Sequence, residues 1–107
     1  MSFDGKKLGI LISAPPEAAA FLHGVRFAAA ALDSGCAVYL YCIDRAVAGV
    51  GHPELQELRA RGLRFYACAY GAHRHGIPVD DKATFAGLTV VSDLIASTDR
   101  FVSFNAP

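Results

Sequence analysis

The sequence has little of what would mark a nucleic-acid-binding, membrane or exported protein. Its ten basic and ten acidic residues cancel, so neither a basic patch nor an acidic tail follows from the charge balance. No apolar run approaches the length of a membrane span. The first such run, at 8–13, has six residues and ends before Pro15 and Pro16, which indicates a strand and not an export signal. We therefore expect a cytoplasmic protein with no direct contact to nucleic acid or membrane.

Motifs of several enzyme classes are also missing. The turn after the first apolar run, SAPPEAA, has no glycine to wrap a phosphate, and no Lys-Ser or Lys-Thr pair of a P-loop occurs. Two prolines in that turn remove amide donors that a flavin phosphate would need. No G-x-S-x-G motif of a serine hydrolase is present. The chain has three cysteines, which is an odd number, and the reducing compartment expected for it makes a disulfide framework unfavourable. We expect no cofactor.

The chain instead alternates short apolar runs with helical patterns. Apolar strands separated by helices indicate a parallel sheet covered on both faces. We predict one domain over residues 1–107, an α/β protein with three α/β/α layers around a mostly parallel five-stranded sheet. The predicted strands are 8–13, 36–44, 63–70, 88–92 and 100–104. The predicted helices are 17–35, 52–62 and a short one capped by Ser92, and residues 71–87 are predicted to be a loop whose helical content stays open.

The apolar fraction is high for so small a domain. Apolar residues make up 53% of the chain, which favours burial of some of them against other subunits. We therefore expect a homo-oligomer. The stretches GVRFAAAAL (24–32) and FAGLTVV (85–91) are the candidate subunit interfaces.

The candidate chemistry lies in CAYGAHRHG, at 68–76. In parallel sheets, ligand chemistry gathers at the carboxyl ends of the strands, where Cys42 and Cys68 are predicted to lie. Cys36 falls at the opposite edge, and we expect it to be structural. Arg74 would favour a thiolate at Cys68, provided that the thiol is at least partly accessible.

Histidines close to this cysteine extend the set of candidates. His73 and His75, if protonated, would add positive charge near Cys68. The three side chains could also supply zinc ligands, but their spacing matches no common zinc pattern and no second Cys/His pair lies nearby, so we predict no metal. A Cys-His nucleophile lacks an identifiable third group to orient the histidine. The plainest alternative is that Cys68 is a small core residue of strand three.

The sequence resembles the DsrE/DsrF-like family, small α/β proteins of sulfur oxidation and tRNA-thiolation relays that include the TusD-type subunits. LRARGLRFYAC resembles the family's helix, glycine, strand and cysteine, and STDRFVSF its closing turn and strand. CAYGAHRHGI is similar to a pattern of Cys, five residues, Arg, one residue and Gly. His75 stands where sulfur-relay members often carry a second arginine.

The resemblance implies five parallel strands in the order 4-3-2-1-5, oligomers, and a cysteine matching Cys68 that carries sulfur as a persulfide. The expected function is sulfur transfer between donor and acceptor proteins, with Cys68 as carrier and Arg74, His73, His75 and Cys42 around the sulfur. Whether this makes the chain a sulfurtransferase or only a carrier stays open. The alternatives are a non-catalytic interaction subunit, in which Cys68 is incidental, and a Cys/His module that binds a metal or small molecule.

Overall fold

The computed structural model describes residues 3–106, which form five strands, four α-helices and one 3₁₀ helix. The elements in chain order are β1 Lys7–Ile12, α1 Ala19–Asp33, β2 Ala37–Cys42, the 3₁₀ helix Asp44–Gly49, α2 Pro53–Ala60, β3 Arg64–Cys68, α3 Ala69–His75, β4 Thr84–Ala86, α4 Thr89–Ser97 and β5 Arg100–Phe104. None of the helices described in this range is long and apolar enough to cross a membrane.

The five strands form one parallel sheet in the order β4-β3-β2-β1-β5. The predicted α/β class and the strand order implied by the resemblance are confirmed. Ile10 and Ile12 of the interior strand β1 have no exposed surface. Because the strands are parallel and β2 pairs with β3, these two strands end side by side at one edge of the sheet, which we call the carboxyl edge. The opposite edge, where the strands begin, is the amino edge.

Helix α1 covers one face of the sheet at close range. A Cβ atom at Gly24 would lie 2.8 Å from Cδ1 of Ile12, so only glycine permits this approach. The side of α1 that faces the sheet is apolar, and its Phe21, Val25 and Ala28 are fully buried. Gly35, with φ of 91°, follows the end of α1 in the left-handed conformation that ends many helices.

The other face of the sheet carries a row of tyrosines. Strand register and side-chain alternation place Tyr39, Tyr41, Tyr66 and Cys68 on this side, which we call the tyrosine face. Helix α4 packs on this side against β1 and β5. Tyr39 and Tyr66 remain only half-buried. The two faces are therefore covered unequally.

The predicted strand at 88–92 is wrong. The fourth strand is Thr84–Ala86, and residues 89–92 begin α4, so Ser92 lies inside that helix and does not cap it. The β-branched run LTVV suggested a strand, but Leu94 is buried four residues after the half-buried Val90, which is helical spacing. Strand β4 has only three residues, too few to show a pattern of its own.

The segment 71–87, predicted as a loop of open helical content, contains most of a helix and one strand in the structure. Its first residues continue α3, which begins directly after β3 and ends at Gly76, whose φ is 67°. The segment contains no apolar stripe, because α3 has only two turns and buries only Gly71 and Ala72. Short helices of this kind are held by tertiary contacts and leave little signal in the sequence.

We predict that Gly49→Ala destabilises the fold. A Cβ atom at Gly49 would lie 2.6 Å from Cε2 of Phe21, a ring with no exposed surface and no room to move. Such overpacking should lower the free energy of unfolding by about 1–3 kcal/mol in urea denaturation. Gly51→Ala is the matched control, because its Cβ would meet Lys82 at an ordinary 3.5 Å. Equal stability of the two variants would contradict the prediction.

Candidate functional site

Cys68 occupies the junction between a strand and a helix. It is the last residue of β3 and the N-cap of α3, and its Sγ accepts a hydrogen bond from the backbone N–H of Gly71 at 3.3 Å. A hydrogen bond to sulfur from a helix amide favours the negatively charged form of a thiol. As the last residue of β3, Cys68 lies at the carboxyl edge, where the sequence predicted it.

The expectation that Cys68 is partly accessible is wrong, because only 4% of the residue is exposed. The reason is that a helix, and not an open loop, follows the cysteine. A Cβ atom added at Gly71 would lie 3.4 Å from Cβ of Cys68 and 3.2 Å from Cγ2 of Val47. The first turn of α3 and the 3₁₀ helix thus close over the strand end. Any reaction with another protein requires these elements to move apart.

Tyr41 is a neighbour of Cys68 that sequence reasoning missed. It is fully buried on the tyrosine face, and its hydroxyl donates a hydrogen bond to the backbone oxygen of Ala86 at 3.1 Å. Burial, followed by a hydrogen bond to Cys68 and by the charge of that group, raises the pKa of Tyr41 above its ordinary value. Tyr41 therefore stays a neutral hydroxyl beside the sulfur. Only the pairing of β2 with β3 reveals this contact.

Arg74 and His73 do not share the position of the thiol. Both are exposed in the last turn of α3, whereas Cys68 precedes its first turn. Six residues of helix advance by about 9 Å, and a step of six turns a side chain away from the starting face. The structure therefore separates Arg74 from Cys68 along the helix, in contrast to the sequence expectation of an adjacent cation.

His75 turns toward a different partner. Its Nε2 lies 3.2 Å from Oδ1 of Asp44, the first residue of the 3₁₀ helix. Asp44 has φ of 54°, a left-handed conformation that non-glycine residues rarely adopt. A residue held in this way often belongs to a functional or tightly constrained turn. The contact ties the end of α3 to the 3₁₀ helix that also covers Cys68.

An open cavity of about 380 Å³ lies beside this contact at the carboxyl edge. His75 and Ile77 line one side of it, Arg45 comes from the 3₁₀ helix, and Pro16 and Glu17 come from the turn after β1. Among the residues that the structure describes, those that line this cavity do not include Cys68. The described part of the chain also contains no group of three His, Cys, Asp or Glu side chains placed to hold a metal ion, so Cys68, His73 and His75 do not converge.

Comparison with solved structures identifies the architecture. The chain superimposes on the crystal structure of the YchN protein from E. coli with a TM-score of 0.76 over 94% of this chain and 99% of that one. The fold is DsrE-like. Sequence identity is 17%, so the likeness concerns the fold alone. No protein-family model matches the chain, and no curated protein matches its sequence.

Within the DsrE-like fold, the other two cysteines lie apart from Cys68. Cys42 pairs in register with Ala67, so its side chain points to the face opposite the tyrosine face, and it has no exposed surface. Burial raises the pKa of the Cys42 thiol. Cys36 is half-buried where β2 begins, at the amino edge. The structure thus brings neither thiol to the Cys68 site.

We predict that Cys42 makes the fold less stable in alkali. Because burial raises the pKa of Cys42 in the folded chain, only the unfolded chain ionises this thiol above its ordinary pKa of about 8.5. The effect is absent below that pH. Above it, the free energy of unfolding should fall by up to about 1.4 kcal/mol per pH unit. Urea denaturation between pH 7 and pH 10 should give a steeper decline for the wild type than for Cys42→Ala, and parallel curves would contradict the assignment.

Proposed function

We propose that this protein is a small cytoplasmic sulfur-transfer protein that carries sulfane sulfur as a persulfide on Cys68. The observation that carries the proposal is the hydrogen bond from the Gly71 N–H to the Cys68 sulfur, at the carboxyl edge of the sheet. The DsrE-like fold and the Cys68–Arg74–Gly76 spacing support it. In this proposal the chain acts as a sulfurtransferase between a donor and an acceptor protein.

The proposed reaction consists of two thiol–persulfide exchanges. The Cys68 thiolate attacks the outer sulfur of a donor cysteine persulfide, the donor S–S bond breaks as a new S–S bond forms at Cys68, and the donor leaves as a thiolate that takes up a proton. In the second exchange, an acceptor thiolate attacks the outer sulfur and releases Cys68 as a thiolate. The sulfane sulfur changes carriers without net oxidation or reduction, so the exchanges need no metal or redox cofactor.

Backbone and hydroxyl groups take the roles closest to the sulfur in this proposal. The Gly71 N–H holds negative charge on Cys68, and the neutral Tyr41 hydroxyl limits its solvation. Arg74 and His73, exposed at the end of α3, meet the partner protein, and His75 holds the cover closed through Asp44. Cys42 takes no part, because it faces the other side of the sheet. Loading therefore proceeds through a state in which α3 has moved off Cys68.

We predict that Cys68 is the only site of sulfur loading. After incubation with a sulfane-sulfur donor, mass spectrometry of the intact wild-type protein should show the addition of one sulfur atom. Cys68→Ser should abolish the addition with an unchanged circular dichroism spectrum, whereas Cys36→Ser and Cys42→Ala should retain it. Sulfur mapped to Cys36 or Cys42 would refute the assignment.

A matched pair of variants tests the amide itself. Gly71→Pro removes the N–H that Cys68 accepts, whereas Gly71→Ala keeps it and adds the same Cβ atom against Val47. Proline is tolerated in the first turn of a helix. Loading of Gly71→Pro should be about tenfold slower than that of Gly71→Ala, since a hydrogen bond to a charged group contributes about 1.5 kcal/mol. Equal rates would show that the amide does not activate the thiol.

The burial of Cys68 favours a second candidate function, that of a non-catalytic interaction subunit. Large apolar side chains remain exposed on α3 and on the segment that leads into and through α4, namely Tyr70 at 69% and Leu88 and Ile95 at 57% each. In this alternative they bind a partner while Cys68 only caps α3. The loading experiment separates the candidates, because an interaction subunit takes up no sulfur at Cys68.

We also predict a homo-oligomer assembled through α4. Leu88 and Ile95 are exposed on the segment that leads into and through α4, and they offer apolar surface to a second copy. Light scattering at micromolar concentration should show an oligomer for the wild type and a folded monomer for Ile95→Asp. Val79→Asp is the control, because Val79 is 64% exposed in the loop before β4. A wild-type monomer, or an Ile95→Asp oligomer of unchanged size, would contradict this interface.

A further inference from the structure

The amino edge of the sheet contains a second cavity, of about 450 Å³, which the proposed sulfur chemistry does not use. It lies between the segment before β1, the end of α1 and the first residues of β2 and β5. Its walls are fixed by backbone hydrogen bonds, from the Ala37 N–H to the Lys6 oxygen and from the Asp99 N–H to the Lys7 oxygen, both at 2.8 Å. The volume is within the range of small-molecule sites, about 300–1,000 Å³.

Three cations line this cavity, Lys6, Lys7 and Arg100. None of them forms an ion pair with another residue in 3–106. Asp99 is the single carboxylate of the lining, and it already accepts a hydrogen bond from the backbone N–H of Lys7 at 2.7 Å. Unpaired cations gathered around one concave surface favour a negatively charged ligand.

Two negative features nearby reduce this positive field without reversing it. The end of α1 carries about half a negative charge, but backbone N–H groups of Ser34, Gly35 and Cys36 already bind its last carbonyl oxygens. The lysines are therefore not needed as helix caps. The Asp4 carboxylate lies against Gly35, outside the lining. The remaining positive charge matches one carboxylate better than a multiply charged phosphate.

The rest of the lining is mainly apolar. Phe3 and Phe27 are 45% and 42% exposed, which is unusual for phenylalanine rings that have a core available to them. Phe27 packs at 5.7 Å between ring centroids on Phe104, so it is held in place and not simply free in solvent. The other apolar lining residues are Leu8, Ala30 and Ala31. A ligand for this cavity therefore needs an apolar body as well as a charge.

We propose that this cavity binds a small organic carboxylate with an apolar body, of the class of medium-chain fatty acids. The carboxylate lies against Arg100, which strand register places on the same face as Leu8 and α1, and whose guanidinium geometry suits carboxylate oxygens. The hydrocarbon chain lies between Phe3 and Phe27. This inference is independent of the proposed sulfur transfer, because the two sites lie at opposite edges of the sheet.

Cys36 provides a direct readout, because it lines the cavity and is the one half-buried thiol of the three. The probe is octanoate below its micelle-forming concentration, and the measurement is the rate of Cys36 alkylation by neutral iodoacetamide, mapped by mass spectrometry. Octanoate should slow the alkylation to a plateau. Acetate, which has the charge without the chain, and 1-octanol, which has the chain without the charge, should protect far less.

Charge-removing variants make the test specific. Arg100→Gln should raise the octanoate concentration for half-protection about tenfold, as expected for one lost charge-assisted hydrogen bond. Arg45→Gln, a matched loss of one cation at the carboxyl edge, should leave it unchanged. Equal protection in both variants, or none in the folded wild type, would overturn the proposal. The proposal would also be overturned if iodoacetamide reacts with Cys36 only after the protein is diluted to monomers, because a second copy of the chain would then occupy the cavity.

Discussion

The close approach of α3 to the 3₁₀ helix at Gly71 is the constraint on which the carboxyl edge depends. A Cβ atom at this position would lie 3.2 Å from Cγ2 of Val47, which is a tight contact, and at an ordinary 3.4 Å from Cβ of Cys68. Because Gly71 has no side chain, α3 packs closely on the 3₁₀ helix over the strand end, the Gly71 amide donates a hydrogen bond to the sulfur, and His75 comes within reach of Asp44. Gly71 thus contacts the sulfur through its amide and allows α3 to bury it.

This arrangement sets two requirements for Cys68 against each other. The Gly71 amide donates a hydrogen bond to the sulfur, as the proposed sulfur transfer requires, but enclosure by Tyr41 and the first turn of α3 keeps reagents away. In the proposed function, a cover that opens only with a partner protects the persulfide from water and stray thiols. Local opening of a two-turn helix costs little compared with global unfolding, since such short elements have few buried contacts.

The two edges of the sheet also differ in chemical character. At the carboxyl edge, a buried thiol lies near an open, mixed cavity that includes His75 and Arg45. At the amino edge, an accessible thiol, Cys36, lies in a cationic cavity with an apolar lining. Parallel strands produce this separation, because all their beginnings lie on one side and all their ends on the other.

The sequence by itself determined the alternation of strands and helices, the parallel sheet and the placement of Cys68 at a strand end, because these follow from apolar runs and glycine stops that act locally. It failed at α3, β4 and α4, where two turns or three residues are too short for a periodic signal and β-branched residues occur inside a helix. Only the tertiary structure decided that Cys68 is buried, that Tyr41 and not Arg74 is its neighbour, and that Cys42 faces away. Those facts depend on strand register and on helix packing at Gly71, which join residues far apart in the chain.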